Sequence, residues 1–360
     1  MNRLFAITAC LVLACFWACV DKIELGGSDR PNSGILVQGK FIPGTPGLVT
    51  AEVFELYVLS GNQPRPIGGA KVVLHDDLGH TIDLISNYDG KYYRAFDRND
   101  PAFPVQPGRQ YRLIASLPDG RVFESEWESL LDPAPADSLR AEIVVREFIN
   151  ADNVPVPIPT VQFYLDAGLR APGSAVPARL RWEIDQSYKI TDTPKNPDIA
   201  PKTCFSVRKL FKDNVLIIDG NSVAQDRLQG YPLVETPVDY RFSEGFYLLV
   251  NQQTISANTY GYLEELNQLL ARKGTQFDPP AGAIRSNITC PTHPETLVYG
   301  FFYVAQEDTA RLYISPDFAG NPRTYCPLPV TIHPPSHPTP CDDCLLEAGG
   351  QLEQPYWWQE

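Results

Sequence analysis

Tyr111-Arg112-Leu113-Ile114-Ala115-Ser116-Leu117 alternates its side chains between two environments, as a half-buried β-strand does. Pro118-Asp119-Gly120 turns it into Val122–Trp127, where Phe123 and Trp127 are expected to share a face. Asp89-Gly90 likewise joins a strand near Thr81–Ile85 to Tyr92–Phe96. Asp-Gly between such runs predicts a hairpin, because both central residues of the favoured turn need positive φ. Ile35–Phe41, Val49–Leu59 and Ala70–His75 bring the tally to about seven strands, the number of an immunoglobulin-like sandwich. The expected first body spans 33–128.

Leu130-Leu131-Asp132-Pro133-Ala134-Pro135-Ala136-Asp137 reads as a linker. The body expected beyond it, 138–360, is larger and β-rich, with strands at Leu139–Phe148, Thr160–Asp166, Ala178–Asp185, Thr203–Phe211, Leu297–Ala305 and Ala310–Ser315. Val154-Pro155-Val156-Pro157-Ile158-Pro159 is an extended lead-in. One helix is predicted near 258–273, capped by Asn258 or Thr259 and ended by Gly274. Leu263, Leu266 and Leu270 lie on one face of it, read as packing onto the β core. A Cys- and Pro-rich tail closes the chain. The 34 prolines, 17 tyrosines and 17 phenylalanines fit a mainly β chain, since Pro stays out of strand interiors and aromatics favour pleated surfaces. Gly68–Leu74, Asp89–Tyr92 and Pro107–Tyr111 resemble the transthyretin-like modules of bacterial surface proteins.

Met1-Asn2-Arg3 is a cationic start, and Leu4–Ala18 is apolar apart from Thr8. That run is shorter than the roughly 20 residues a membrane-spanning helix needs. It suits a secretory signal, 1–18, ending in Ala18-Cys19. Cys19 is the expected lipidation site, the form of a bacterial lipoprotein signal. Cys15 is a rival, but polarity begins just after Cys19, at Asp21-Lys22. Residues 19–32 would then be a tether. A net charge of -13 argues against nucleic acid, whose binding needs clustered Lys and Arg.

No phosphate loop, His-Glu-x-x-His or Gly-x-Ser-x-Gly motif is present, so no catalytic residue is assigned and no cofactor is expected. Cys204, Cys290, Cys326, Cys341 and Cys344 are candidate disulfide members in an oxidising envelope, with at least one left free. His333, His337, Cys341 and Cys344 form a minority zinc candidate, because two imidazoles and two thiolates can make a tetrahedral set. Disulfides are the favoured reading. Asp97-Arg98-Asn99-Asp100 offers oxygen ligands but lacks the glycine turn and distal Glu of a calcium loop, so it reads as a solvated loop. Tyr356-Trp357-Trp358 is either a sugar-stacking platform or a buried plug, with burial favoured.

Cys19–Leu25, the Gly69-Ala70 strand, Asp89-Gly90-Lys91-Tyr92, Phe277-Asp278-Pro279-Pro280, Ser286-Asn287-Ile288 and Leu297–Phe302 form one pattern with Cys341-Asp342-Asp343-Cys344 and Pro355-Tyr356-Trp357-Trp358. Together they resemble the Bacteroidetes lipoproteins called domain of unknown function 4249. Ser286, where Gly is expected, and the doubled Trp depart from that pattern. The resemblance implies an outer-membrane lipoprotein, on either the periplasmic or the surface face. It also implies an accessory or ligand-binding, non-catalytic partner of a β-barrel TonB-dependent receptor. The alternatives are an envelope assembly factor that binds protein only and, further off, a glycan-acting enzyme.

Overall fold

The computed structural model describes residues 33–57, 63–194, 196, 198–210, 215–272, 286–326 and 339–359. The leader, Cys19, the 19–32 tether, Phe277–Pro280, His333 and His337 lie outside these residues. Two β-sandwiches follow one another, and the mainly β expectation holds.

Alternation builds the first sandwich. Ile35, Val37 and Phe41 of β1 (Ser33–Ile42) and Val49, Ala51 and Val53 of β2 (Gly47–Tyr57) point inward and are fully or nearly fully buried. Their sheet also holds β3 (Arg65–Pro66), β6 (Ile85–Ser86), β7 (Lys91–Phe96), β19 (Val298–Tyr299) and β20 (Phe302–Val304). The facing sheet comprises β4 (Lys71–Asp76), β5 (Thr81–Asp83), β8 (Gln110–Ser116), β9 (Val122–Ser125), β10 (Glu128–Ser129) and β18 (Ile288–Thr289). Between them, Phe41 meets Tyr111 edge-on with ring centroids 4.8 Å apart.

Three details differ from the expectation. The strand foreseen at Thr81–Ile85 splits at Leu84: β5 pairs with β4 in one sheet and β6 with β7 in the other. Phe123 is buried but Trp127 is not on its strand, because β9 stops at Ser125, whose hydroxyl accepts from the Leu113 N–H. Trp127 instead lies under the Arg112 guanidinium, 4.8 Å from the ring centre. Residues 288–304, assigned by sequence to the second body, pair with β1 and β9 of the first. Gly300 allows this return at φ 95°, since a Cβ there would sit 2.1 Å from the Val37 carbonyl oxygen.

The second sandwich packs a three-stranded sheet on a six-stranded one. The smaller contains β11 (Ala136–Ile149), β12 (Pro155–Gly168) and β16 (Arg227–Pro237). The larger runs β21 (Gln306–Ile314), β17 (Phe246–Ile255), β13 (Arg179–Thr191), β14 (Thr203–Lys209) and β22 (Gly350–Gln351), with β15 (Leu216–Asp219) also on β13. Val161, Phe163 and Leu165 from one sheet meet Leu180, Trp182 and Leu248 from the other in the core.

The one α-helix among the described residues, α1 (Ala257–Arg272), starts slightly earlier than expected. Ser256 is its cap: the hydroxyl accepts from the Thr259 N–H at 3.1 Å, satisfying a donor the helix leaves open. Leu263 and Leu266 pack on Ile42, Ile255 and Phe301, at the junction of the two sandwiches.

Candidate functional site

The polar halves of the alternating strands meet in a cleft between the sandwiches. β1 and β2 send Gln38, Lys40, Thr50 and Glu52 outward from the first sandwich, and β7 adds Lys91 and Tyr93. β13 buries Leu180, Trp182 and Ile184 on one side and turns Arg181 and Glu183 toward the cleft; Lys209 joins them from β14. Helix α1 and Phe301 close the floor, with Tyr262 stacked on Phe301 at 4.4 Å and 18°. The cleft is open to solvent on one side and has a volume of about 530 Å³, within the usual range for small-ligand sites.

Three cations converge on one carboxylate. Lys40 and Lys209 each place Nζ 2.9 Å from Glu183 Oε2, and Arg181 Nη2 is 2.9 Å from Oε1. Burial opposes ionisation of Glu183, but Arg181, Lys40 and Lys209 outweigh it and hold the carboxyl down at about 2. Glu183 is therefore a fixed anion that accepts hydrogen bonds and does not release a proton near neutral pH. Behind it, burial raises both Asp185 and Glu307, which receive hydrogen bonds from Asn251 at 2.9 Å and Gln253 at 2.6 Å. Arg181 also donates to the Tyr303 hydroxyl and lies over that ring, and burial raises the phenol's pKa. The lining has four cationic side chains and two carboxylates in a chain whose net charge is -13.

The family model described as Domain of unknown function (DUF4249) matches residues 21–311. The chain belongs to the DUF4249 family. No curated protein matches it. The DUF4249 match covers the first sandwich and both cleft walls and stops before the Cys-rich tail.

In this DUF4249 chain the tail cysteines form two crosslinks, Cys204–Cys344 and Cys326–Cys341, while Cys290 is free and buried. Cys341 and Cys344 thus enter different disulfides and neither is a thiolate, which removes the sulfur half of the zinc candidate. Asp192, Asp343 and Cys344 also converge, but the Lys202 ammonium already sits 3.2 Å from Asp192 and 3.0 Å from Asp343. At Asp97 and Asp100 the carboxylates accept from the backbone N–H groups of Asn99 and Ala102, as a self-contained turn does. Trp358 is buried against Phe205 and Tyr247, whereas Tyr356 is 88% exposed.

Sequence assigns no binding role to any cleft residue: Leu263 and Leu266 read as core packing, and Lys91, Tyr92 and Phe301 enter only through the family pattern. Arg181, Glu183 and Asp185 did carry a signal: three charges on one face of a strand whose other face is Leu180, Trp182 and Ile184. Such a face reads as solvated unless a second body covers it.

Proposed function

We propose that this chain is a non-catalytic binding protein of the cell envelope, held at the outer membrane by acylation of Cys19. In this reading it takes an anionic ligand into the inter-sandwich cleft and serves as accessory to a β-barrel TonB-dependent receptor. The observation that carries the ligand reading is the cationic lining around Glu183, beside the apolar Tyr262–Phe301 stack. A negatively charged group can share Lys40, Lys209 and Arg181, and a flat ring can lie on the aromatic floor. Glu183 is held ionised and cannot act as the general acid of glycoside cleavage, and the carboxyls that burial raises, Asp185 and Glu307, do not line the cleft, which supports binding.

The test starts from tagged native protein purified from its own envelope in mild detergent. A β-barrel receptor recovered near equal stoichiometry is the expected result, and a chain that emerges alone removes the receptor from the proposal. Cys19→Ala is expected to release the protein into the soluble fraction; continued membrane retention would sink the anchor. Titrated with acidic and neutral oligosaccharides, the released chain should prefer the acidic set, and Lys209→Glu should weaken that binding about tenfold, or ~1.4 kcal/mol. No affinity for either set would leave protein docking as the better reading.

A further inference from the structure

β11 and β12 form a hairpin that outruns its sheet. The pairing of β12 with β16 begins at Thr160–Pro237, so Pro155–Pro159 and their partners Val145–Ile149 project as a two-stranded arm. Apolar side chains are exposed on both faces of the arm. Val145 is 65% and Ile149 63% exposed on one, beside Glu147, and Phe148, Val154 and Val156 are exposed on the other, beside Arg146, which pairs with Glu235 at 2.9 Å. The turn at its end, Asn150-Ala151-Asp152-Asn153, is polar, with the Asn150 side chain accepting from the N–H groups of Asp152 and Val154. A polar tip is a poor leading edge for insertion into lipid.

The two edges of the arm are opposite in character. The Val238 N–H donates to the Pro159 carbonyl, so the odd-numbered residues of β12 direct their backbone groups away from β11. Pro155, Pro157 and Pro159 therefore remove every donor from that outer edge and block it against a further strand. By the same parity, Leu139, Ala141, Ile143, Val145, Glu147 and Ile149 of β11 turn their N–H and C=O groups outward. β11 is the last strand of its sheet and holds neither proline nor glycine; its start packs against β21, where the Ala136 N–H donates to the Asp308 carboxylate at 2.9 Å. Along the arm, one edge is closed and the other is open.

We infer that the open edge pairs with β11 of a second copy of this chain, antiparallel and centred on Val144. Outward-facing residues must oppose outward-facing residues, which admits only registers that match odd positions with odd ones. Among these, the register opposing Val144 to its own copy sets Glu142 against Arg146 twice and Ile143 against Val145 twice. It also sets Leu139 against Ile149 twice. Moving the centre to Ile143 opposes Arg140 to Arg146, and moving it further to Glu142 or Arg146 opposes like charges across the axis. The centre at Val145 sets Ile143 against Glu147. A centre on Ala141 also pairs Arg140 with Glu142 and Leu139 with Ile143 but leaves Glu147–Ile149 of the arm unpaired. Among the registers that engage the arm, the one on Val144 alone opposes unlike charges, although it sets Ala141 against Glu147. The two three-stranded sheets then become one continuous sheet across the two-fold axis.

The test uses the full chain carrying Cys19→Ala, followed by sedimentation equilibrium at micromolar concentration. A dimer is expected. Val145→Pro removes only an outward N–H, leaves the β11–β12 ladder whole, and should give a monomer that still melts cooperatively, as the wild-type chain does when diluted below its dimer dissociation. Glu142→Arg should weaken the dimer about tenfold, and adding Arg146→Glu should restore it, because only self-pairing regains both cross-strand pairs. In Val144→Cys the two Cα atoms would lie about 4.5 Å apart, the non-hydrogen-bonded spacing, and within disulfide reach. That variant should crosslink between copies, whereas Arg140→Cys should not. A chain that stays monomeric overturns the inference. So does a dimer indifferent to Val145→Pro that fails to crosslink through residue 144.

Discussion

Glu128 is almost wholly buried beneath the first turn of α1, where Oε2 accepts from the Ser256 hydroxyl at 2.6 Å and the Thr259 hydroxyl at 3.3 Å. Its other oxygen has no protein partner. Burial raises the carboxyl from 4.5 to about 7, against the pull of those two hydroxyls. Between these values the folded chain keeps a proton that the unfolded chain has released. Stability is therefore highest below pH 4.5, so far as this group is concerned, and falls as pH rises toward 7. The slope approaches about 1.4 kcal/mol per pH unit for the single proton. Glu128→Gln retains an acceptor for both hydroxyls and carries no charge. It is expected to flatten this pH dependence and to stabilise the chain above neutrality by on the order of 3 kcal/mol. Urea unfolding of the two proteins across this pH range measures the difference; parallel curves would show that Glu128 is not the titrating group.

At the scale of elements, the tail is fixed by covalent and apolar contacts at once. Cys204 in β14 is bonded to Cys344 at a separation of 140 residues, and the Gly349 carbonyl accepts from the Val207 N–H of the same strand. Cys326–Cys341 closes a separation of only 15. Loop-closure entropy grows with length, roughly 3 kcal/mol for the short loop and about 5 kcal/mol for the long one. Cys344→Ser is accordingly expected to lower the urea midpoint more than Cys326→Ser, and the reverse order would mean that the tail does not depend on its bond to β14. Local chemistry made several elements legible in advance. Asp119-Gly120 forms its turn, although only Gly120 of the two takes positive φ, at 90°, because Pro118 shares the turn and the Gly120 N–H donates to the Leu117 carbonyl. Leu263 and Leu266 of α1 face the core as their spacing requires. Sequence named all five cysteines but could not choose their pairing, since that depends on which strands the tail reaches. Thr81–Ile85 reads as one strand because a sheet change at Leu84 leaves no local mark. The cleft escaped for a related reason. Lys40, Arg181 and Glu183 alternate as solvent-facing residues do, and only the approach of a second sandwich makes them walls of a site.

Across the whole molecule, the linker near Pro133 suggests two bodies that fold separately, yet the first sandwich is finished by residues from far down the chain. Ile288, Cys290, Phe302 and Val304 belong to its core. Asn287 fastens them: its side-chain amide donates to the Phe302 carbonyl at 2.8 Å, its Oδ1 accepts from the Phe302 N–H at 2.9 Å, and its own carbonyl accepts from the Glu126 N–H at 2.7 Å. Burying side chains of this kind is worth about 1.5–3 kcal/mol each for the larger ones. The four together approach the roughly 5–15 kcal/mol that separates a typical folded domain from its unfolded state. A fragment ending at residue 137 lacks them, along with β18, β19 and β20, and leaves β1 and β9 with open edges. It is expected to show no cooperative melt. Because the returning segment also carries Phe301 and Tyr303, which pack with α1 and Ile255, loss of either sandwich uncovers the other. The full chain should then unfold in one transition, with calorimetric and van't Hoff enthalpies in agreement. Two resolved transitions, or a cooperatively folded N-terminal fragment, would show instead that the cleft lies between independent bodies and can open without unfolding either.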